Sequence, residues 1–471
     1  MVYRKNVEVS RHRFIQLLAI GVLVRALALP FPGTFDVNYW KVWSYAAATD
    51  GAARIYGTDP RLSPRVLRFR DTTATANYPP LAIYELGVVG RAYLLATGGR
   101  FPDTAALTLT IKASIVLAEA GLAFLLFLCA RPIGAGAARW AAIAFWLNPA
   151  MLLASSALGY LDINSTLPAV GALAAAAAGW PVTAGALIVA AALTKPQALF
   201  IWPAVALAVW NIGDRRGAPG RVLSALGSAL VVSAIIMAPV VLAGGTVAML
   251  KALASMASHD MLSGNTCNVW WLVGHLLRAG RVLHEAGVAA ALALPADIVT
   301  ISSAVDSGIP NPRAIGTVLT LLAGGWALWT ARYARDLALV SALGAFQVHA
   351  YMTLSAQVHE NHLFAAIPLL VLAATTRRRL APVLVTVSGI FATNLYLFYG
   401  LGGDGPAFPR TATWIDATLL VAVLNCAACV WHAVAFRNEC AMRSPAAGGP
   451  DPRGLHAAER LRVPTYGTGT M

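Results

Sequence analysis

Long apolar runs, separated by short gaps that carry arginine, leave this 471-residue chain few ways to fold. The runs lie at roughly 14–31, 106–129, 139–157, 164–180, 182–194, 196–211, 222–243, 313–331, 336–355, 362–376, 380–400 and 412–435. Backbone inside hydrocarbon must satisfy its own hydrogen bonds, so such runs read as helices that enter or cross a bilayer. Only 12% of the residues are charged and 58% are hydrophobic, against roughly 25% charged in soluble domains. An ordinary soluble enzyme is therefore excluded, and the expectation is an all-α polytopic membrane protein with about twelve crossings.

The formal charge of +14 is not gathered into a nucleic-acid-binding patch. Arg4/Lys5/Arg11/Arg13, Arg215/Arg216/Arg221, Arg332/Arg335 and Arg377/Arg378/Arg379 stand in gaps between apolar runs, the pattern of cytoplasmic loops. The 79–97 segment starts with Pro79-Pro80 and carries Glu85 and Arg91. Reading it as a helix at the outer interface keeps every short arginine-rich gap on one side, and 283–303 then needs an even number of crossings, or none. Residues 1–13 become a cytoplasmic N-terminus and 14–436 the membrane domain, with 32–105 its first outer loop bearing juxtamembrane helices. Residues 437–471, rich in Gly, Pro and Arg, read as a disordered cytoplasmic tail. The five cysteines are few and mostly lie in apolar runs, and Cys426/Cys429 sit in a helical run, which favours small packing residues over a redox pair.

This topology, drawn from Lys and Arg, places Asp36, Tyr78, Asp162, Lys195, His359, Glu360 and the 258–271 segment on the outer face. Polar irregular backbone beside a membrane implies protein or a wet cavity around it. Asp36, followed by Tyr39, Trp40 and Trp43, suits a general base able to meet a membrane-borne donor and a water-borne hydroxyl; the alternative is a helix cap before interfacial aromatics. Asp162 reads either as a cap or as a second carboxylate that orients an acceptor or, with Asp36, holds a divalent cation. Lys195 precedes Pro196, and a cation at broken backbone suits a phosphate; snorkelling to the interface is the alternative. Lys112 and Glu119, seven apart on one helix face, serve an ion-pair or hydrogen-bonding role or a functional one. The 357–361 segment lacks the HExxH spacing of a zinc site, so His359 fits a leaving phosphate or a sugar better than a metal; the alternative is an interfacial turn. Arg65 and Arg68, with Arg54, Arg61 and Arg70, furnish the long loop with guanidinium groups for lipid phosphates or for a solvated face. Neither a P-loop nor a GxGxxG after a strand pattern is present, so nucleotide hydrolysis and a soluble nucleotide-sugar domain are not indicated.

Taken in order, Asp36 with YWKVW, NYPPLAIY at 77–84, LNPAMLLASSALGYLD at 147–162, LTKPQAL at 193–199, NVWW at 268–271 and VHEN at 358–361 resemble the GT-C superfamily of membrane glycosyltransferases. The YPPL, KPQA and HE elements most resemble the branch of dolichyl-phosphate-glucose glucosyltransferases and bacterial polyprenyl-phosphate-mannose mannosyltransferases. GYLD stands where many bacterial members have GQxD, and HEN where they have HEK or HERY. The resemblance implies a GT-C-like bundle and an inverting transfer from a polyprenyl-phosphate sugar, with Asp36 deprotonating the acceptor hydroxyl. On that reading Lys195, His359, Arg65 and Arg68 face the donor phosphate and lipid carrier, while Asp162, Glu360 and Tyr78 position the acceptor or the histidine.

The expected function is transfer of a hexose (mannose or glucose) or a pentose to a lipid-linked or cell-envelope glycan. No cofactor is required and a divalent cation is unsupported; the partners are the polyprenyl-phosphate donor, a glycan or glycolipid acceptor and membrane lipids, with no nucleic acid. The Ala-, Gly- and Arg-rich composition points to a GC-rich bacterium, hence an inner (plasma) membrane with the site facing the periplasm. A transporter or flippase of a lipid-linked saccharide is the competing class, because charges beside a Pro-broken helix also mark substrate pathways. The polar residues gather on one face, however, where a carrier would place them at the midplane.

Overall fold

Each apolar run of the sequence is mainly helix over its described residues in the computed structural model, which describes residues 9–57, 64–406, 410 and 416–442. In chain order the helices are α1 (Arg11–Ala28), α2 (Asp36–Ala46), α3 (Pro80–Ala96), α4 (Ala105–Ala130), α5 (Ala135–Trp146), α6 (Pro149–Met151), α7 (Asp162–Ala177), α8 (Pro181–Thr194), α9 (Trp202–Asn211) and α10 (Ala218–Leu242). They continue as α11 (Thr246–Ala257), α12 (Val269–Ala286), α13 (Val288–Leu292), α14 (Ile301–Asp306), α15 (Pro312–Thr330), α16 (Leu337–Leu354), α17 (Ala366–Ala374), α18 (Leu380–Tyr399) and α19 (Ala417–Ala441). The sheet content is slight. Strands β1 (Val66–Phe69) and β2 (Thr72–Thr75) form an antiparallel hairpin, and β3 (Ser263–Gly264) lies parallel to β4 (Val358–His359).

Side-chain caps start several helices where the sequence offers Ser, Asn or Asp. Ser10 accepts from the Arg13 amide, Asn268 from Trp271, Asp336 from Leu339 and Asp416 from Thr418, each satisfying a donor that the first helical turn leaves open. Pro196 ends α8: Lys195 becomes extended (φ −151°, ψ 127°), and a 3₁₀ stretch, Pro196–Ile201, leads into α9.

Six helical segments are long and apolar enough to cross a bilayer: Ala105–Ile133, Ala135–Ala157, Arg215–Leu242, Leu337–Leu354, Leu380–Tyr399 and Ala417–Ala441. The chain is an integral membrane protein, and against the expected twelve or so crossings six candidates stand out among the described residues. Length removes some of the expected crossings: at 1.5 Å per residue a 14-residue helix such as α8 covers roughly 21 Å of a hydrocarbon layer about 30 Å thick. Composition removes others, since α1 and α15, at 18 and 19 residues, are long enough but not apolar enough. Nor does 283–303 hold a helix of crossing length, since α13 and α14 have 5 and 6 residues. Residues 437–441, assigned to the expected tail, belong to α19, which runs to Ala441; the rest of that expectation, residues 443–471, lies outside the described residues, as do Arg4, Lys5 and Arg61.

At the centre α16 is 83% buried, while α10 is 6% buried and turns Leu223, Leu230 and Ile235 outward toward lipid. Two buried charges on α4 tie the periphery to this centre. Glu119 pairs with Arg25 at 2.9 Å, and the Arg25 guanidinium lies 3.5 Å from the centroid of the Trp146 ring. Lys112, fully buried, donates instead to backbone, reaching the carbonyls of Phe31 at 2.7 Å and Ala157 at 2.9 Å. A charge in such a setting needs a partner; Glu119 thereby fixes α1 against α4, and Lys112 ties the loop after α1 to the π turns before α7.

Candidate active site

Asp36 opens α2 immediately after a turn that the backbone holds from two sides. The Thr34 amide donates to the Leu158 carbonyl at 3.0 Å, and the Trp40 indole donates to Gly159 O at 3.1 Å. Gly159 itself has φ +78°, and a Cβ there would stand 2.8 Å from Val37 Cγ2, so the close approach of these two loops requires glycine. Upstream, Asn148-Pro149 starts α6, and the chain then widens into π-helical turns over Leu152–Ala157. These turns deliver the Gly159–Asp162 loop to the side of Asp36.

Around this junction the structure gathers six of the eight residues singled out in the sequence: Asp36, Tyr78, Asp162, Lys195, His359 and Glu360. Lys195 Nζ donates to Asp162 Oδ1 at 2.7 Å and lies 5.7 Å from the centroid of the Tyr78 ring. Tyr78 is wedged against Trp40 and Trp43, at centroid distances of 5.3 and 5.4 Å, and its carbonyl accepts from the Tyr56 hydroxyl at 2.7 Å. The other oxygen of Asp162 accepts from Asn361 Nδ2 at 3.0 Å. Glu360 accepts from the Tyr160 hydroxyl, while Tyr399, stacked edge-on to Tyr160, is held by Asn265 Nδ2 at 3.0 Å. His359 stands on the two-residue β3–β4 pairing, and a Cβ on Gly264 would come within 2.8 Å of its Nδ1.

Asp36 differs from its neighbours. Among the described residues it accepts no hydrogen bond, although it feels the charges of Glu360, Lys195, His359 and Asp162. It is half-buried. Burial first, and then the Glu360 carboxylate, push its carboxyl from 3.8 up to about 6, with Lys195 and His359 pulling the other way. Burial also holds the His359 imidazole down at about 4, against the pull of Asp36, so the ring is neutral near pH 7. Burial works against the Lys195 charge as well, but Asp162 outweighs it and keeps the ammonium above the ordinary lysine range. The arrangement thus combines a free carboxylate, a fixed Lys–Asp pair and a neutral imidazole, able to take a proton from a hydroxyl and to donate hydrogen bonds to an oxyanion.

Arg65 and Arg68 are not brought to this cluster. They lie on and beside the β1–β2 hairpin, where Arg65 pairs with Asp50 at 2.5 Å and Arg68 Nε donates to the Arg70 carbonyl at 3.1 Å. Sequence reasoning missed Asn361, Tyr160, Gln197 and Tyr399. The first three lie inside motifs already noted, and Gln197 Nε2 meets His362 Nε2 at 2.8 Å. Tyr399, at the end of α18, has no local signal. Among the described residues, no three His, Cys, Asp or Glu side chains are grouped to hold a metal ion.

Beside the cluster runs a groove of about 710 Å³ between α3, α4, α7 and α8. Its walls are mainly Leu and Val, and at its polar end Asn164 donates to Glu85 at 2.9 Å, two residues past Asp162.

No family model and no curated protein matches the chain. Among solved structures it is similar to the oligosaccharyltransferase of Archaeoglobus fulgidus in the apo form, at 13% identity and a TM-score of 0.43, over 98% of this chain and 59% of that one. The archaeal oligosaccharyltransferase AglB from the same organism, in complex with an inhibitory peptide and a dolichol-phosphate, aligns at 15% identity and a TM-score of 0.36, over 97% of this chain and 59% of that one. The chain therefore spans about 59% of the length of the structures it matches.

Proposed function

We propose that the chain is an inverting membrane glycosyltransferase, moving a hexose such as mannose or glucose, or a pentose, from a polyprenyl-phosphate carrier to a glycan or glycolipid acceptor. The observation that carries this reading is the Asp36 carboxylate: unpaired, half-buried, and set among Asp162–Lys195, Tyr78, His359 and Glu360. A carboxylate with a purely structural role caps or pairs; this one does neither among the described residues.

In the proposed step the acceptor hydroxyl gives its proton to Asp36 while its oxygen bonds to the anomeric carbon. The bond from that carbon to the phosphate oxygen breaks, its electron pair leaves with the polyprenyl phosphate, and the configuration inverts. Lys195, anchored by Asp162, supplies the nearest positive charge, and the neutral His359 ring supplies an N–H to the developing oxyanion. Asp162, Asn361, Glu360 and Tyr160 form the hydrogen-bonded frame around the acceptor, while the groove between α3, α4, α7 and α8 offers an apolar path for a lipid chain.

The test is a transfer assay on purified protein in lipid nanodiscs with radiolabelled polyprenyl-phosphate mannose, glucose and arabinose and envelope glycan extracts. Wild type should transfer one of them, and Asp36→Asn should lose roughly 10²- to 10⁴-fold. Equal transfer by the variant would remove Asp36 as the base. Binding of all three donors by wild type without transfer would move the chain to the transporter class.

A further inference from the structure

A second cavity, of about 340 Å³, opens where the end of α15, the turn after it, the start of α16 and the last turns of α19 meet. α16 has 18 residues, so this end lies about 27 Å from the end that leads into His359 and Glu360. The two sites therefore belong to opposite faces of the protein. Among the lining residues are Trp326, Trp329, Arg332, Tyr333, Arg437 and Cys440.

We propose that this cavity binds the phosphate of an anionic phospholipid headgroup. Two guanidinium groups from different helical segments, Arg332 and Arg437, line it and no carboxylate does. Arg332 is preorganised: its guanidinium lies 4.3 Å from the Trp329 ring centroid and 4.7 Å from that of Tyr333, and Nη1 donates to the Trp329 carbonyl at 2.7 Å. The turn beneath it is pinned by Asn211, whose Nδ2 donates to the carbonyls of Arg332 at 3.0 Å and Ala334 at 2.8 Å. The nearby acids do not cancel this charge. Asp336 is committed to Arg377 at 2.7 Å and to capping α16, and Glu439 is buried beside the cavity rather than lining it. A planar guanidinium fork held by stacked rings suits a phosphate oxyanion.

The surroundings select a lipid over free phosphate. Trp329 and Tyr333 form an exposed aromatic rim, as side chains do at a bilayer interface, and exposed Leu321 and Leu322 continue along α15 as a surface for acyl chains. A basic pocket between helices, with such a rim, matches an anionic lipid held at the leaflet surface.

The test is native mass spectrometry of the full chain ejected from nanodiscs of equal parts phosphatidylcholine and phosphatidylglycerol. It compares wild type, the double variant R332Q/R437Q, and the control pair R215Q/R216Q in an exposed loop. Wild type and control should retain phosphatidylglycerol over phosphatidylcholine, and the double variant should lose that retention about tenfold. A thermal-shift series keeps the outcome independent of lipid loss during ejection: added phosphatidylglycerol should raise the melting temperature of wild type and not of the double variant. Equal retention in the double variant, equal retention of phosphatidylcholine by wild type, or displacement of the lipid by millimolar inorganic phosphate would each overturn the proposal.

Discussion

A single unpaired carboxylate links chemistry to stability in this protein. Asp36 holds its proton up to about 6 against an ordinary 3.8, so in the proposed role of base it is increasingly blocked below that value. Transfer should fall about tenfold per pH unit under pH 6 and level off above it, which a pH–rate profile of kcat/KM reads directly. The stability consequence has the opposite sense. Between pH 3.8 and 6 the folded chain binds this proton more tightly than the unfolded one, so stability falls as pH rises through that window, and above it the charged carboxylate is a standing cost. Asp36→Asn should therefore raise the melting temperature at pH 7.5 while lowering transfer by the roughly 10²- to 10⁴-fold expected for loss of a general base; a lowered melting temperature would show that the carboxylate has a structural role. At this scale the sequence was informative where a motif carried its own residue, as with Asp36, Asp162, Lys195 and His359. It was silent where the partner comes from far away: Asn361 meets Asp162 across 199 positions, and Tyr399 joins Glu360 through the fold alone. Arg65 drew attention by charge, yet Asp50, a neighbour in the same loop, takes that charge up.

Among the elements, the loop before α2 and the loop before α7 matter most, because each delivers one carboxylate. Lys112 on α4 ties both, donating to Phe31 O on one side and Ala157 O on the other. Lys112→Met keeps the length of the side chain and removes every donor, leaving buried carbonyls open at a cost of about 1–3 kcal/mol each. A melting temperature several degrees lower and a fall in kcat of tenfold or more, with KM little changed, are expected from calorimetry and the transfer assay; unchanged kcat would show that the two loops hold their spacing without it. The helices themselves were legible, because apolar runs punctuated by arginine have one solution in lipid. How many of them span was less so, since a proline such as Pro196 cuts some runs below crossing length, while others, such as α1, carry arginine along an otherwise apolar helix. Pro196 is the plainest case: the runs 182–194 and 196–211 become α8 and α9, both short of crossing length, with Lys195 at the break between them.

For the whole molecule, the arginine map predicts which loops share a side with the cluster. Arg100, exposed after α3, and Arg216, exposed before α10, should lie on opposite faces. In intact cells or right-side-out vesicles a membrane-impermeant thiol reagent should modify Arg100→Cys, while Arg216→Cys should react only after permeabilisation; the reverse pattern, or equal access, would overturn the map and with it the interfacial placement of α3. The central helix carries a further implication. α16 is enclosed by protein along 83% of its length, and its two ends are fixed by Asp336 capping at one face and the β3–β4 pairing beyond the other. A helix so enclosed cannot tilt to follow its surroundings, as a lipid-facing one does when hydrophobic lengths disagree. The lipid-facing helices, such as α10, are therefore mounted on a packed centre about 27 Å long, and a mismatched bilayer should adjust around the bundle sooner than single helices tilt. Reconstitution across phosphatidylcholines of increasing chain length should show one preferred thickness for transfer, with the long-chain bilayers thinning around the protein at the expense of its activity.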